Sequence, residues 1–417
     1  MGVYGFFLPC TQGCDIIVFP EKGLMLGLDD RQKLSLHAED IPDVGALPCL
    51  EGGDLAPVLA ALSCLARDNR IYVVANVYDH KPCPPRRTPC PPDGVLFYNT
   101  NVALDRNGTL VSRYHKNHLF REALLDTPEP FEEAVFETDF GARVGMFICF
   151  DVLFPEAAQL VARHNITLAV MSTFWYDTLP GIYSVAVQQA WSLAHGVPLL
   201  AAGVQRPLTG TLGSGIYAGG RGPLIYSYSA DNRSKLLIAN TDDAAPKNPR
   251  YAGDVLDVRS LTFSYINTSA FAVAPLLNAS GEMLACSGEV CCRLSYATPE
   301  LSDAFFLIAG RTITSRVSAN VLSTQVCSLT VCEERSESRP CTKMATRSST
   351  RFSSLRLEAR FATPYVYPVL ASDGLALTSV RSWSFETSPG RFTSLSIDER
   401  NPPKEPILHA FIAALDE

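Results

Sequence analysis

Three residues of this chain have the chemistry to cleave an amide together: Glu21, Lys116 and Cys149. A thiol at its ordinary pKa of about 8.5 is mostly protonated at neutral pH, so Cys149 needs a base or a nearby cation to become a nucleophile. Glu21 can take the thiol proton, return it to the leaving amine and later activate water. Lys116 can lower the thiol pKa and, with the backbone N–H that follows Cys149, hold the oxyanion of a tetrahedral intermediate. Losing one such donor typically costs about 100- to 1,000-fold in turnover. Glu122, which follows Lys116 closely, can fix the lysine or the substrate. Each residue also has an ordinary explanation. A cysteine in an apolar run is usually inert core, Glu21 can be a loop-start acid, and Lys116, flanked by His115 and His118, can be a solvated basic residue.

What joins them is position. The runs Ile16–Glu21, Arg113–Lys116 and Arg143–Asp151 each read as a strand ending on one of the three residues, and in α/β sheets ligands bind at the C-terminal ends of strands. Continuous apolar strands at Asp15–Phe19, Arg70–Val77, Val144–Phe150, Thr167–Ser172 and Val197–Val204 alternate with helical stretches, the pattern of a layered α/β domain. Helical periodicity marks Asp54–Asn69, with Asp54 as its cap, as well as Pro155–His164 and Tyr183–His195. Asn107-Gly108 is a hairpin turn between Leu96–Leu104 and Thr109–His115, so the sheet must be mixed. Ile216–Ala218 and Lys235–Asn240 read as further strands. Asp243–Arg250 is a polar linker, and the chain beyond it has short strand-like runs with little helical periodicity. Two domains are expected, a catalytic one at 1–245 and a mainly β one at 260–417.

Length and composition agree with this division. A chain of 417 residues is too long for one ordinary core, and 47% hydrophobic against 19% charged residues describes globular protein. A net charge of −8 without long runs argues against a nucleic-acid partner. No apolar stretch has the length of a membrane span, and neither a lipid-anchor signal nor a signal peptide is visible.

The cysteines indicate the compartment. Of thirteen, several stand in local groups: Cys49 with Cys64, Cys83 with Cys90, Cys286 with Cys291-Cys292, and Cys327 with Cys332 and Cys341. Zinc spacing with accompanying histidines is missing, so disulfides fit better, and an odd total leaves a thiol over. Five glycosylation acceptors, Asn107, Asn165, Asn232, Asn267 and Asn278, also favour a secretory route.

The strings Ile17-Val-Phe-Pro-Glu21-Lys-Gly23, Tyr114-His-Lys116, Phe147-Ile-Cys149-Phe-Asp151 and Gly213-Ser-Gly-Ile-Tyr217 resemble the nitrilase (carbon-nitrogen hydrolase) superfamily. Cys286…Cys291-Cys292-Arg-Leu-Ser-Tyr296 and Cys327…Cys332…Cys341 extend the likeness to the vanin/pantetheinase–biotinidase branch, over nearly the whole chain. The resemblance implies a four-layer αββα sandwich followed by a smaller, cysteine-rich, mainly β domain. It implies a Glu–Lys–Cys triad falling on Glu21, Lys116 and Cys149, a supporting Glu122, a thioester on Cys149, and neither metal nor organic cofactor. Cys149 is then the thiol outside the disulfides, while Cys10 and Cys14 belong to no recognised pair. Relatives carry a signal peptide, a strand and a helix before the glutamate strand, far more than precedes Glu21 here, so this sequence is expected to begin inside the natural protein.

The expected substrate is a small linear secondary amide: pantetheine first, a biotinyl amide second. Thr173 and Trp175, with Phe174 and Tyr176 beside them, are candidates for the acyl pocket. Two readings of other classes compete: an idle secreted binding protein that keeps the fold, and a zinc-binding interaction domain in the second half. Oligomeric state is left open.

Overall fold

The computed structural model describes residues 13–24, 27, 28, 30–51, 56–85, 87, 89–316, 321–333, 341–361, 363–387 and 392–416. It divides into two units, Met1–Asp151 with Gln159–Thr173, and Val152–Ala158 with Phe174–Glu417.

The first unit begins with β1 (Ile16–Val18), α1 (Arg31–His37), α2 (Pro48–Glu51) and α3 (Pro57–Asn69). These lead into β2 (Tyr72–Pro82), β3 (Val95–Leu104) and β4 (Leu110–His115). The strands form one sheet in the order β1-β2-β3-β4, with β1 parallel to β2 and the other pairs antiparallel. The β3–β4 turn falls at Asn107-Gly108. Gly108 has φ +85, and a Cβ there would lie 2.5 Å from the Ser63 carbonyl oxygen, so both conformation and space demand glycine.

Alternation along β2 explains its burial on both faces. Val73, Ala75 and Val77 meet Leu59, Leu62 and Ala66 of α3, together with Val102 and Leu104 of β3. Tyr72, Val74 and Asn76 point the other way, where Tyr72 stacks on Phe136 of β5 (Ala134–Glu137), with ring centroids 6.3 Å apart. That second face belongs to the inter-sheet layer. β5 pairs antiparallel with β6 (Arg143–Ile148), which pairs parallel with β7 (Leu168–Thr173). Ser172 Oγ on β7 donates to the Phe19 carbonyl just past β1 (2.8 Å), stitching the two sheets where both chains leave the layer. Behind β6 lies α4 (Pro155–His164): a Cβ on Gly145 would come 2.6 Å from Ile166 and 3.4 Å from Leu160. Helix, sheet, sheet and helix follow in order, the four-layer αββα sandwich.

The second unit contains β8 (Thr178–Leu179), α5 (Ser184–His195), β9 (Pro198–Gly203), β10 (Ser214–Ala218) and β11 (Pro223–Ser227), with β10 antiparallel to both of its neighbours. Beyond them the chain is mainly β. A six-stranded sheet includes Phe305–Arg316, Val321–Val331 and Ile407–Asp416, and a five-stranded sheet includes Val290–Ala297 and Ser354–Arg360.

Several expectations change. Lys235–Asn240 forms no strand: Lys235 Nζ turns to Asp254 (2.9 Å) and Ile238 is exposed. The helix of α3 starts at Pro57 with Ala56 at its cap, and Asp54 lies outside the described residues. Cys49–Cys64, Cys83–Cys90, Cys286–Cys291 and Cys332–Cys341 pair locally, but Cys327 joins Cys292 and so ties the five-stranded sheet to the six-stranded one. Cys14 is disulfide-bonded rather than unpaired, and Cys10 lies outside the described residues.

Candidate active site

Three strand ends deliver the expected triad to one place in the first unit. Past β1, Phe19 N still donates to the Val74 carbonyl (2.9 Å). Pro20 follows, and Glu21 enters a tight turn in which Lys22 takes φ 57 and Gly23 N donates to the Pro20 carbonyl. Past β4, Lys116 N still donates to Asn99 O (2.8 Å), and its side chain turns inward. Past β6, Cys149 adopts φ 50, a left-handed conformation rare for a residue with a Cβ. Such strain persists where surrounding contacts over-determine it. Here the parallel ladder ending at Ile148–Ser172 leads in, and a 3-10 turn beginning at Cys149 leads out.

The Lys116 ammonium lies 2.7 Å from Glu21 Oε1 and 2.7 Å from Glu122 Oε2, and all three side chains are at most 3% exposed. A solvated surface role for Lys116 is thereby ruled out. Burial works against its charge, but Glu122 and Glu21, joined by Cys149 and Asp151, outweigh that and hold its pKa well above the ordinary lysine value. The Cys149 thiol therefore lies within electrostatic reach of the lysine. Burial likewise pushes Glu122 up, yet Lys116 and Lys22 prevail and keep it ionised. Among the described residues, Cys149 is the cysteine outside the disulfides.

Asparagines orient the carboxylates. Asn99 Nδ2 donates to Glu21 Oε1 (2.7 Å) and to Glu122 Oε1 (2.8 Å). Its own Oδ1 accepts from Asn76 Nδ2 (2.7 Å), while Asn76 Oδ1 accepts from Lys22 N (2.7 Å). The register explains the cluster: Asn76 is paired with Asn101 and Tyr78 with Asn99, so these side chains share the inter-sheet face. Lys22 Nζ completes the constellation, 2.7 Å from Glu122 Oε1. Asp151 braces the floor, accepting from Tyr114 OH (2.9 Å), His118 N (2.8 Å) and Ile148 N (3.0 Å). Burial raises its pKa to about 6, against the pull of His118 and Lys116.

Thr173 leaves β7 next to the point where Cys149 leaves β6, because Ile148 pairs with Ser172. Among the described residues its buried Oγ1 has no hydrogen-bond partner. Trp175 belongs to the second unit; it is buried, and its indole N–H donates to the Ile182 carbonyl (3.1 Å).

Sequence reasoning overlooked Lys22, Asn76, Asn99, Tyr114 and Asp151 in a supporting role. The two asparagines did carry a signal: an amide inside a strand buried on both faces must find polar partners. Lys22 carried none beyond its adjacency to Glu21.

A carbon-nitrogen hydrolase family model matches residues 9–238, and a vanin C-terminal domain model matches residues 261–416. The chain is 34% identical over 418 residues to pantetheine hydrolase VNN2 of Homo sapiens, covering 95% of this chain and 78% of that protein. It is 34% identical to the pantetheinase of Sus scrofa, with the same coverage. It is 33% identical to the biotinidase of Takifugu rubripes, over 88% of this chain and 78% of that protein. An acid, a lysine and a cysteine past the ends of β1, β4 and β6, on a sandwich followed by a disulfide-braced β region, agree with these matches, and the chain belongs to the carbon-nitrogen hydrolase family, in its vanin/biotinidase branch.

Proposed function

We propose that this enzyme hydrolyses the linear secondary amide of pantetheine to pantothenate and cysteamine through a thioester on Cys149. Glu21 takes the Cys149 proton as sulfur attacks the amide carbon. Lys116 and the Phe150 N–H stabilise the oxyanion, and collapse of the intermediate breaks the C–N bond as Glu21 returns the proton to the departing amine. Glu21 then deprotonates a water that attacks the thioester. The acid leaves, and the proton returns to the thiol. Glu122 holds Lys116 in place, and Thr173 is assigned to the acyl group. No step calls for a metal or an organic cofactor.

The observation that carries this reading is the buried Glu21–Lys116 contact of 2.7 Å. The similarity to pantetheinases favours pantetheine, and the similarity to a biotinidase makes biotinyl-amide hydrolysis the second reading. Residues 1–245 are assigned to catalysis and 260–417 to the vanin-type domain. A secretory route is supported by five disulfides between described residues and by the exposure of all five acceptor asparagines. Among the described residues no helix is long and apolar enough to cross a membrane.

Turnover of pantetheine and biocytin by the purified chain tests the assignment. Cysteamine release with a higher kcat/KM than lysine release from biocytin is expected. Equal inertness toward both, in folded protein, would favour a binding protein that keeps the fold.

A further inference from the structure

Charges around Cys149 alternate in sign, from Glu21 through Lys116 and Glu122 to Lys22 at the outer edge. We infer that Lys22 is a positioning residue that sets the reactivity of the Cys149 thiol by neutralising Glu122. The inference rests on Cys149 being the nucleophile.

Glu122 is held on both oxygens. Oε1 takes Lys22 Nζ at 2.7 Å and Asn99 Nδ2 at 2.8 Å, while Oε2 takes Lys116 Nζ at 2.7 Å and Phe120 N at 3.1 Å. With Lys22 in place, two carboxylates face two ammonium groups. Without it, the same space carries one more net negative charge, beside the point where a thiolate and then an oxyanion must form. Like charge at close range in a water-poor site disfavours both. The lysine is also built to reach inward. Its backbone adopts φ 57 and its N–H donates to Asn76 Oδ1, and the same Asn76 orients Asn99. Its side chain is 24% exposed against 3% for Glu122, so it meets the carboxylate from the solvent side of the cluster. Burial opposes its charge, but Glu122 and Glu21 prevail and keep it protonated.

Lys22→Met removes the charge and leaves Lys116, Glu21 and Cys149 untouched. The pH dependence of Cys149 alkylation by iodoacetamide, followed by intact mass, is expected to move up by about one pH unit. The acid limb of kcat/KM for pantetheine should move with it, which is about tenfold in rate at pH below that limb. Above the limb the variant should approach the parent rate. Lys22→Gln, which keeps a hydrogen-bond donor without the charge, should give the same shift and serves if the methionine variant does not fold. Lys22→Arg should retain the parent profile. A rate loss in either neutral variant with both pH curves unshifted would reduce Lys22 to packing and overturn the inference, as would no change at all. Failure of the underlying reading is visible separately: Cys149→Ala would still release cysteamine.

Discussion

Asn99 donates from one amide nitrogen to Glu21 and Glu122 at once, at 2.7 and 2.8 Å, while Lys116 bridges the same two carboxylates from the other side. The two carboxylates are therefore locked into one geometry. Two similar carboxylates differ in their partners: Glu122 lies 2.7 Å from both Lys22 and Lys116, and Glu21 lies 2.7 Å from Lys116.

Asn99→Ala should leave both carboxylates short of a donor, while the Asn76 amide keeps Thr100 O and Asn101 Oδ1 as acceptors. Buried groups stripped of partners cost about 1–3 kcal/mol each, so urea denaturation should show a loss in that range or above. Turnover should fall by at least about tenfold, since a misplaced acid is felt steeply. Wild-type turnover would show that Asn99 only fills space.

Glu21→Gln keeps the hydrogen bonds of the site but cannot accept a proton. Turnover should fall by about 100- to 10,000-fold, the usual worth of a general base, with folding intact by circular dichroism. Lys116→Met should be as inactive and should also fold less stably, because it leaves two buried carboxylates facing each other. A Lys116→Met protein as stable as its parent would argue that these acids are not both ionised.

His115 supplies a pH test away from the chemistry. Its Nε2 lies 2.8 Å from Asp79 and its Nδ1 2.8 Å from Glu132. Burial lowers its pKa, but the two carboxylates outweigh that and raise it above the ordinary value of 6.5. A group raised on folding contributes stability that is fully present below its unfolded pKa and is lost as pH rises through the folded one. The stability gap between the parent and His115→Gln should therefore be largest below pH 6.5 and narrow above it, read from denaturation midpoints at pH 6 and pH 9. A gap that widens with pH would contradict the ion pairs.

The sequence showed the strand ends but not what surrounds them. Glu21, Lys116 and Cys149 were legible because each ends a strand-like run, where a polar group able to do chemistry stands at the edge of a sheet. Asn76 and Asn99 were not, because their partner lies across a strand pair whose register only the folded hairpin fixes. Lys235–Asn240 misled because its apolar residues suit a strand, yet no pairing partner reaches it among the described residues. Cys292–Cys327 escaped for a related reason: 35 residues separate the two, and only the approach of two sheets brings them within disulfide range.

That disulfide makes its own prediction. Both cysteines are fully buried, and closing a loop of this length typically stabilises by about 2–4 kcal/mol. Cys292→Ala with Cys327→Ala should lower the thermal midpoint by several degrees, whereas opening Cys83–Cys90 in the proline-rich loop should cost less. The reverse order, seen by calorimetry, would show that the two C-terminal sheets do not depend on their cross-link.

The central claim is that the thiol of Cys149 carries the acyl group. Acid quenching during steady-state turnover of pantetheine, followed by peptide mass spectrometry, tests it directly. The account predicts a pantothenoyl adduct on the peptide containing Cys149, which disappears together with cysteamine release in Cys149→Ala. Cysteamine release at the parent rate by Cys149→Ala, or an adduct on another residue, would contradict it.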